Sequence, residues 1–254
     1  ANCYHESFGP HGTLGRETKE EVVLVSRLQP ALARLNPRLP AEAIGLAVEE
    51  LTRDRSSLQP VAANREVYRL LKDGVKVTFL DGAGAQQVET VRVVDWEEPA
   101  NNDFFLASQF WMAGEMYTRR ADLVGFVNGI PRLLFELKAA HKKLEHAYQH
   151  NLRDYKYAIP QLFRYNALII LSNGSQSKVG SLSAAWEHFA EWKKITSEGE
   201  KGIISLETMI RGTCEKARLL DLVENFTLFT DVSGKLVKLI AKNHQYLGVN
   251  NAIA

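Results

Sequence analysis

Cysteine is scarce: Cys3 and Cys214 are the only thiols in 254 residues, and a chain of this length needs no disulfide framework to hold a core. Both are expected to be free. A surplus of one charge sign is also missing, because 31 Lys and Arg stand against 30 Asp and Glu, a net charge of +1. A polyanionic partner must therefore meet a local patch of cations, not a uniformly basic surface. No run approaches the roughly 18 apolar residues of a membrane span, since stretches such as 167–171 are short and bounded by polar turns. A membrane-spanning protein is excluded on that reading. No basic segment followed by an apolar one opens the chain, so the cytoplasm is the expected compartment; the first residue is Ala, not Met, so a trimmed amino end is expected. Repeats and low-complexity tracts are lacking too. What is there, 45% hydrophobic, 24% charged and 9% aromatic residues, is globular in composition, with room for one large domain or two small ones.

Residues 16–55 read as helical. Val22, Val25 and Leu28 share a face, Pro30 and Pro37 are expected to interrupt, and Ala43, Ile44, Ala47, Val48 and Leu51 resume the helical spacing. A further helix is expected over 64–72, ending at Gly74; Val75, Val77 and Phe79 then alternate up to a turn at 81–84, answered by a strand through Val91 and Val93 to Trp96. Strand composition recurs at 104–112, 123–127, 133–137 and 168–171, which puts a sheet core between 75 and 172. A helix over 141–157 carries Leu144, Tyr148, Leu152 and Tyr155 on one stripe. Trp186, Phe189 and Trp192 predict a return to helix, and a second helix ends on Leu219, Leu220, Leu222 and Val223. The expected organisation is a helical extension over 1–62, an α/β core over 63–182 with a mixed sheet flanked by helices, and a helical connector over 183–254.

An acid-x-lysine triplet on a strand sets both charges on one face, the minimal signature of many metal-dependent nucleases. Four such triplets occur, at 17–19, 136–138, 154–156 and 191–193. Helical readings of the other three scatter their charges by roughly 200°, whereas Glu136-Leu137-Lys138 closes the apolar run Leu133-Leu134-Phe135. The plain alternative is a wet strand end. Upstream, Asp122 is joined to Glu136 through 123–127, an Asn128-Gly129 turn and Ile130-Pro131, a hairpin that brings a second carboxylate.

Register decides whether the two acids meet. A two-residue loop at Asn128-Gly129 sets Asp122 opposite Phe135 and away from Glu136. A three-residue loop, Val127-Asn128-Gly129, sets Asp122 opposite Leu134 and on one face with Glu136 and Lys138. Asn-Gly permits either, and a shared site is expected to require the second. Such a site suits phosphodiester hydrolysis: Asp122 and Glu136 as oxygen ligands of Mg²⁺, and Lys138 placing or deprotonating the attacking water or stabilising the transition state.

Lys142, Lys143, Arg153 and Lys156, expected on the helix after the site, and Arg119 and Arg120 before it, offer a cationic approach for DNA; a solvated helix face accounts for the same residues. His141, His146 and His150 read as surface histidines, since no Cys or carboxylate completes a zinc site. Ser233-Gly234-Lys235 lacks the rest of a phosphate-binding P-loop, so no ATP site is expected in this chain. Glu20 and Glu66, expected on helices before the sheet, are candidates for a third carboxylate.

Asn102-Asp103-Phe104, Gln109-Phe110, Arg120-Ala121-Asp122, Phe126-Val127-Asn128-Gly129-Ile130-Pro131, Phe135-Glu136-Leu137-Lys138, Ile159-Pro160-Gln161-Leu162-Phe163 with Tyr165-Asn166, and Ser172-Asn173-Gly174 together resemble the amino-terminal nuclease region of the type I restriction endonuclease R subunit. Leu14-Gly15-Arg16 and Leu35-Asn36-Pro37 extend the likeness over most of the chain. The resemblance implies a PD-(D/E)xK restriction-endonuclease-like α/β core, with the motif on Asp122, Glu136 and Lys138 and Mg²⁺ as its metal. It also implies a glutamine and a tyrosine four apart on the following helix; here Tyr155 fits, and Asn151 stands where the glutamine belongs. Ala121 replaces the proline before the first acid. Residues 238–246 look like the family's entry into an ATP-dependent DNA translocase, which implies a fragment whose motor lies outside it. The implied partners are double-stranded DNA and the methyltransferase and specificity subunits. Two rival readings are a catalytically silent docking module that keeps the nuclease fold, favoured by Ala121 and Asn151, and a stand-alone repair nuclease, disfavoured by the translocase-like ending.

Overall fold

The computed structural model describes residues 6–9, 11–197 and 199–253; Cys3 lies outside them. Helices α1 (Val25–Leu35), α2 (Ala41–Thr52) and α3 (Pro60–Asp73) lead into the hairpin of β1 (Val75–Leu80) and β2 (Gln86–Val91). Pro30 does not interrupt: it sits inside α1, where burial of Leu28, Ala31 and Leu32 holds the helix together despite the missing N–H. β2 ends at Val91, where the expected strand begins, and residues 92–96 are not strand; the β1–β2 pair forms a sheet of its own instead of joining the main one.

The main sheet has five strands in the order β3 (Phe104–Ala113), β4 (Thr118–Val127), β5 (Ile130–Leu137), β6 (Leu168–Ser172), β7 (Ser177–Gly180). Neighbours are antiparallel except β5 and β6, which run parallel. A parallel pair needs a crossover, supplied by α4 (Leu144–His146), a π-helical stretch (Ala147–Leu152), α5 (Arg153–Ala158) and α6 (Pro160–Phe163). All of β6 and β5 through Glu136 is buried, which accounts for their unbroken apolar runs. This is the expected mixed sheet flanked by helices.

Two C-terminal expectations fail. Residues 189–192 are not helical: the Ala190 and Val179 backbones bond each other in both directions, at 2.8 and 2.9 Å, and Phe189 packs on Gly180. The 183–254 segment is not wholly helical either. Between α8 (Lys216–Glu224), which follows α7 (Leu206–Thr213), and α9 (Asn243–Ile253) lies a hairpin of β8 (Thr227–Val232) and β9 (Lys235–Ile240). Its turn residues Ser233 and Gly234 both have positive φ, 54° and 77°, the backbone of a two-residue hairpin loop. Buried Lys238 pins the hairpin to the core, donating to Asn64 Oδ1 (3.0 Å) and the Asn166 carbonyl (2.8 Å). One buried apolar cluster runs from Leu14 through helices and sheet to Leu247. Among the described residues no helix is long and apolar enough to cross a membrane.

Candidate active site

The turn between β4 and β5 is the two-residue one. Val127 faces Ile130, and Asn128 and Gly129 take φ of 50° and 77°. Asn128 is fully buried yet satisfied: it donates to the Val93 carbonyl (2.8 Å) and Asn102 Oδ1 (2.9 Å), and its own side-chain oxygen accepts from the Asp103 N–H (2.7 Å). Asn102 and Asp103, noticed in the sequence only as part of a resemblance, are thus the clamp of this turn.

That loop alone would aim Asp122 at Phe135, as the sequence arithmetic has it. A β-bulge overturns the arithmetic. Phe126 faces Pro131 but Gly125 faces Leu133, so Arg132 is an extra residue and every later pair shifts by one. Leu123 then faces Phe135, where the ladder ends; beyond it the Asp122 side chain takes the Leu137 N–H, and its charge acts on Glu136. The acids share a face without the three-residue loop. Two features hold the bulge: Arg132 is buried with its guanidinium donating to the Tyr165 carbonyl, and Gly125 leaves room where a Cβ would stand 3.0 Å from the Leu133 side chain.

Around the pair, Asp122 Oδ2 accepts from the Leu137 N–H (2.7 Å), and Lys138 Nζ donates to Glu136 Oε1 (2.7 Å). Lys138 is itself held to β6, its N–H donating to the Ser172 carbonyl (2.8 Å). Glu136 is 3% exposed, and its Oε2 is buried with no hydrogen-bond partner. Burial pushes the Glu136 carboxyl above its ordinary range; the Lys138 hydrogen bond opposes this and the Asp122 charge adds to it. Tyr155 closes the site from α5. It is buried, its hydroxyl donates to the Arg120 carbonyl (2.9 Å), and burial followed by the Glu136 charge raises its pKa. Asn151, one helical turn earlier, interacts with that hydroxyl. The π-helical stretch leaves Gln149 outside, exposed and bonded to Glu145 (2.9 Å).

The remaining candidates scatter. Lys142 and Lys143 are exposed in the turn before α4 instead of on the helix, and Arg153 is exposed on α5. Lys156 is half-buried, and burial brings its pKa down to about 8. Arg119 pairs with Asp154, Nη2 to Oδ1 at 2.8 Å. Glu20 lies in a turn, not a helix, and lines a cleft of about 580 Å³ that contains neither Asp122 nor Glu136. Glu66 is on α3, but Arg55 (2.8 Å) and Arg53 engage it. The 191–193 triplet, not helical after all, does pair Lys193 with Glu191 (3.0 Å). Among the described residues no group of three or more His, Cys, Asp or Glu is placed to hold a metal. The oxygen-only pair Asp122 and Glu136, with its orphan Oε2, suits a hard cation that takes one or two carboxylates and fills its other positions with water and phosphate.

A mixed α/β sheet whose strands juxtapose two carboxylates and a lysine beneath a tyrosine-bearing helix is the class of protein seen here. The family of the type I restriction enzyme R protein N terminus matches residues 4–188, and the chain belongs to that family, as the motifs suggested. It is 36% identical over 251 residues to the type I restriction enzyme HindI endonuclease subunit of Haemophilus influenzae, covering 95% of this chain and 24% of that protein. It is 27% identical over 263 residues to a Methanocaldococcus jannaschii protein provisionally named the type I restriction enzyme MjaIXP endonuclease subunit, covering 94% of this chain and 24% of that one. The chain thus spans about a quarter of the length of these relatives.

Proposed function

We propose that this chain is the Mg²⁺-dependent endonuclease domain of a type I restriction R subunit, with a PD-(D/E)xK site on Asp122, Glu136 and Lys138. Its substrate is unmodified double-stranded DNA, delivered by an ATP-driven motor outside these residues, in a complex with methyltransferase and specificity subunits. The observation that carries the reading is Glu136 Oε2, a buried carboxylate oxygen that no well-formed hydrogen bond satisfies, because the nearby Tyr155 hydroxyl is committed to the Arg120 carbonyl, with the Asp122 charge close by and Lys138 on Oε1. Such an orphan is costly unless a ligand uses it.

Asp122 and Glu136 would hold the metal, which when bound neutralises charge on the phosphate and acidifies a water. The Leu137 N–H fixes Asp122, and Lys138 holds Glu136 Oε1 while keeping a cation at the site for the charge that develops on phosphorus-bound oxygens. Tyr155, anchored on the Arg120 carbonyl, lies against Glu136 and helps bury it. Lys142, Lys143, Asn151, Arg153 and Lys156, along the crossover that follows β5, supply sequence-independent DNA contacts.

The test is cleavage of unmodified DNA by the assembled complex, comparing wild type with Asp122→Ala, Glu136→Ala and Lys138→Ala while following ATP hydrolysis. Lost cutting with retained ATPase supports the assignment. Cutting that survives all three changes leaves the chain as a docking module.

A further inference from the structure

Two cations share one indole beside the paired carboxylates. Trp111 on β3 and Arg120 on β4 are cross-strand partners, and the Arg120 guanidinium lies over the indole, 5.4 Å from the ring centre. Lys19 is drawn alongside by the Ala113 N–H, which donates to its carbonyl (2.9 Å), and sets its ammonium 5.2 Å from the same ring. Attraction to the indole face gathers both charges. Among the described residues neither has an acidic partner within ion-pair distance, in contrast to Arg119 with Asp154. Arg120 is exposed, and Lys19 and Trp111 are half-buried. Two like charges collected on a ring with no acid in ion-pair distance are stabilised by an anion bound from outside.

The location says which anion. Arg120 is two residues before Asp122, roughly 7 Å along a strand, and its carbonyl holds the Tyr155 hydroxyl that lies beside Glu136. Seven ångströms is about two steps of a B-form strand, which rises about 3.4 Å per phosphate. We infer that Lys19, Trp111 and Arg120 form a phosphate-binding subsite that grips the DNA backbone one or two nucleotides from the bond to be cut. The inference rests on reading Asp122 and Glu136 as a DNA-cleaving pair. It also draws the segment ahead of α1 into substrate binding, through Lys19.

The experiment measures affinity of the 254-residue chain for a labelled short DNA duplex as a function of salt, for wild type, Lys19→Gln with Arg120→Gln, and the control Lys235→Gln on the distant β9. Each phosphate contact adds about 0.9 to the slope of log affinity against log salt. The double variant is expected to lose about 1.8 of that slope, so a fourfold rise in salt weakens it about 12-fold less than wild type. An unchanged slope, an equal loss in Lys235→Gln, or a wild type without duplex affinity at low salt overturns the subsite. Cutting that survives Asp122→Ala and Glu136→Ala in the complex refutes the cleavage reading by a separate readout, so the two failures are distinguishable.

Discussion

Replacing Glu136 with Gln is expected to stabilise the protein while abolishing its cleavage. The carboxylate is 3% exposed and its Oε2 has no partner; leaving a buried acceptor unsatisfied costs about 1–3 kcal/mol, more when it is charged. Gln keeps the volume, so no cavity opens. It removes a buried charge that both desolvation and the Asp122 charge disfavour, and leaves a neutral amide where the unpartnered carboxylate oxygen stood. The Lys138 side chain is 24% exposed, so losing a charged partner leaves it hydrated instead of stranded. The net expectation is a gain of about 1–2 kcal/mol, or roughly 2–8 °C in Tm at about 2–4 °C per kcal/mol for a chain of this size. Urea and thermal unfolding of the 254-residue chain in EDTA read this directly. Repeating the melts with Mg²⁺ should stabilise wild type further and leave the variant unmoved, because only a state that binds the ion gains from it. A variant less stable than wild type in EDTA, or one that gains as much from Mg²⁺, refutes the argument that this oxygen is held ready for a ligand. The trade of stability for function is a common one at such sites.

Two further changes probe the scaffold and its flanking helix. Gly129→Ala puts a Cβ 2.4 Å from the Leu24 carbonyl oxygen and 2.7 Å from the Leu28 nitrogen at a φ of 77°, so a loss of about 2 kcal/mol or more is expected; an unchanged urea midpoint would refute the role of this turn. Burial holds Lys156 at about 8 against an ordinary 10.5, so the unfolded chain binds its proton more tightly and wild-type stability should rise between about pH 8 and pH 10.5. Below about pH 8 the cost of the buried charge is fully present. Lys156→Met is expected to gain on the order of 2 kcal/mol at neutral pH and to flatten that rise; parallel pH profiles for the two proteins would show that Lys156 is hydrated.

Helices and central strands were readable wherever burial imposes a local pattern. Leu133-Leu134-Phe135 and Leu168-Ile169-Ile170-Leu171 are apolar throughout because both faces of β5 and β6 are covered, and the stripe of Leu144, Leu152 and Tyr155 follows from one helix face lying on the sheet. Patterns that compete with longer-range packing misled. Trp186, Phe189 and Trp192 fit a helical period, yet only a single 3₁₀ turn forms, over Trp186–His188, before the pairing of Ala190 with Val179 extends the backbone. Pro30 reads as a break, yet its helix is held by the core on its other side.

The sequence by itself determined which residues are candidates for the proposed chemistry: Asp122, Glu136 and Lys138, one acid on each strand of a hairpin and a lysine two residues after the second, because residue type and local spacing are properties of the chain alone. Only the tertiary structure decided that the acids meet. Their register depends on Arg132 being absorbed as a bulge, which in turn depends on the buried seat of its guanidinium against the Tyr165 carbonyl, 33 residues away, and on Asn128 finding Val93, Asn102 and Asp103. A one-residue slip reverses every side chain of a strand, and the forces that prevent it here come from segments that no hairpin sequence contains.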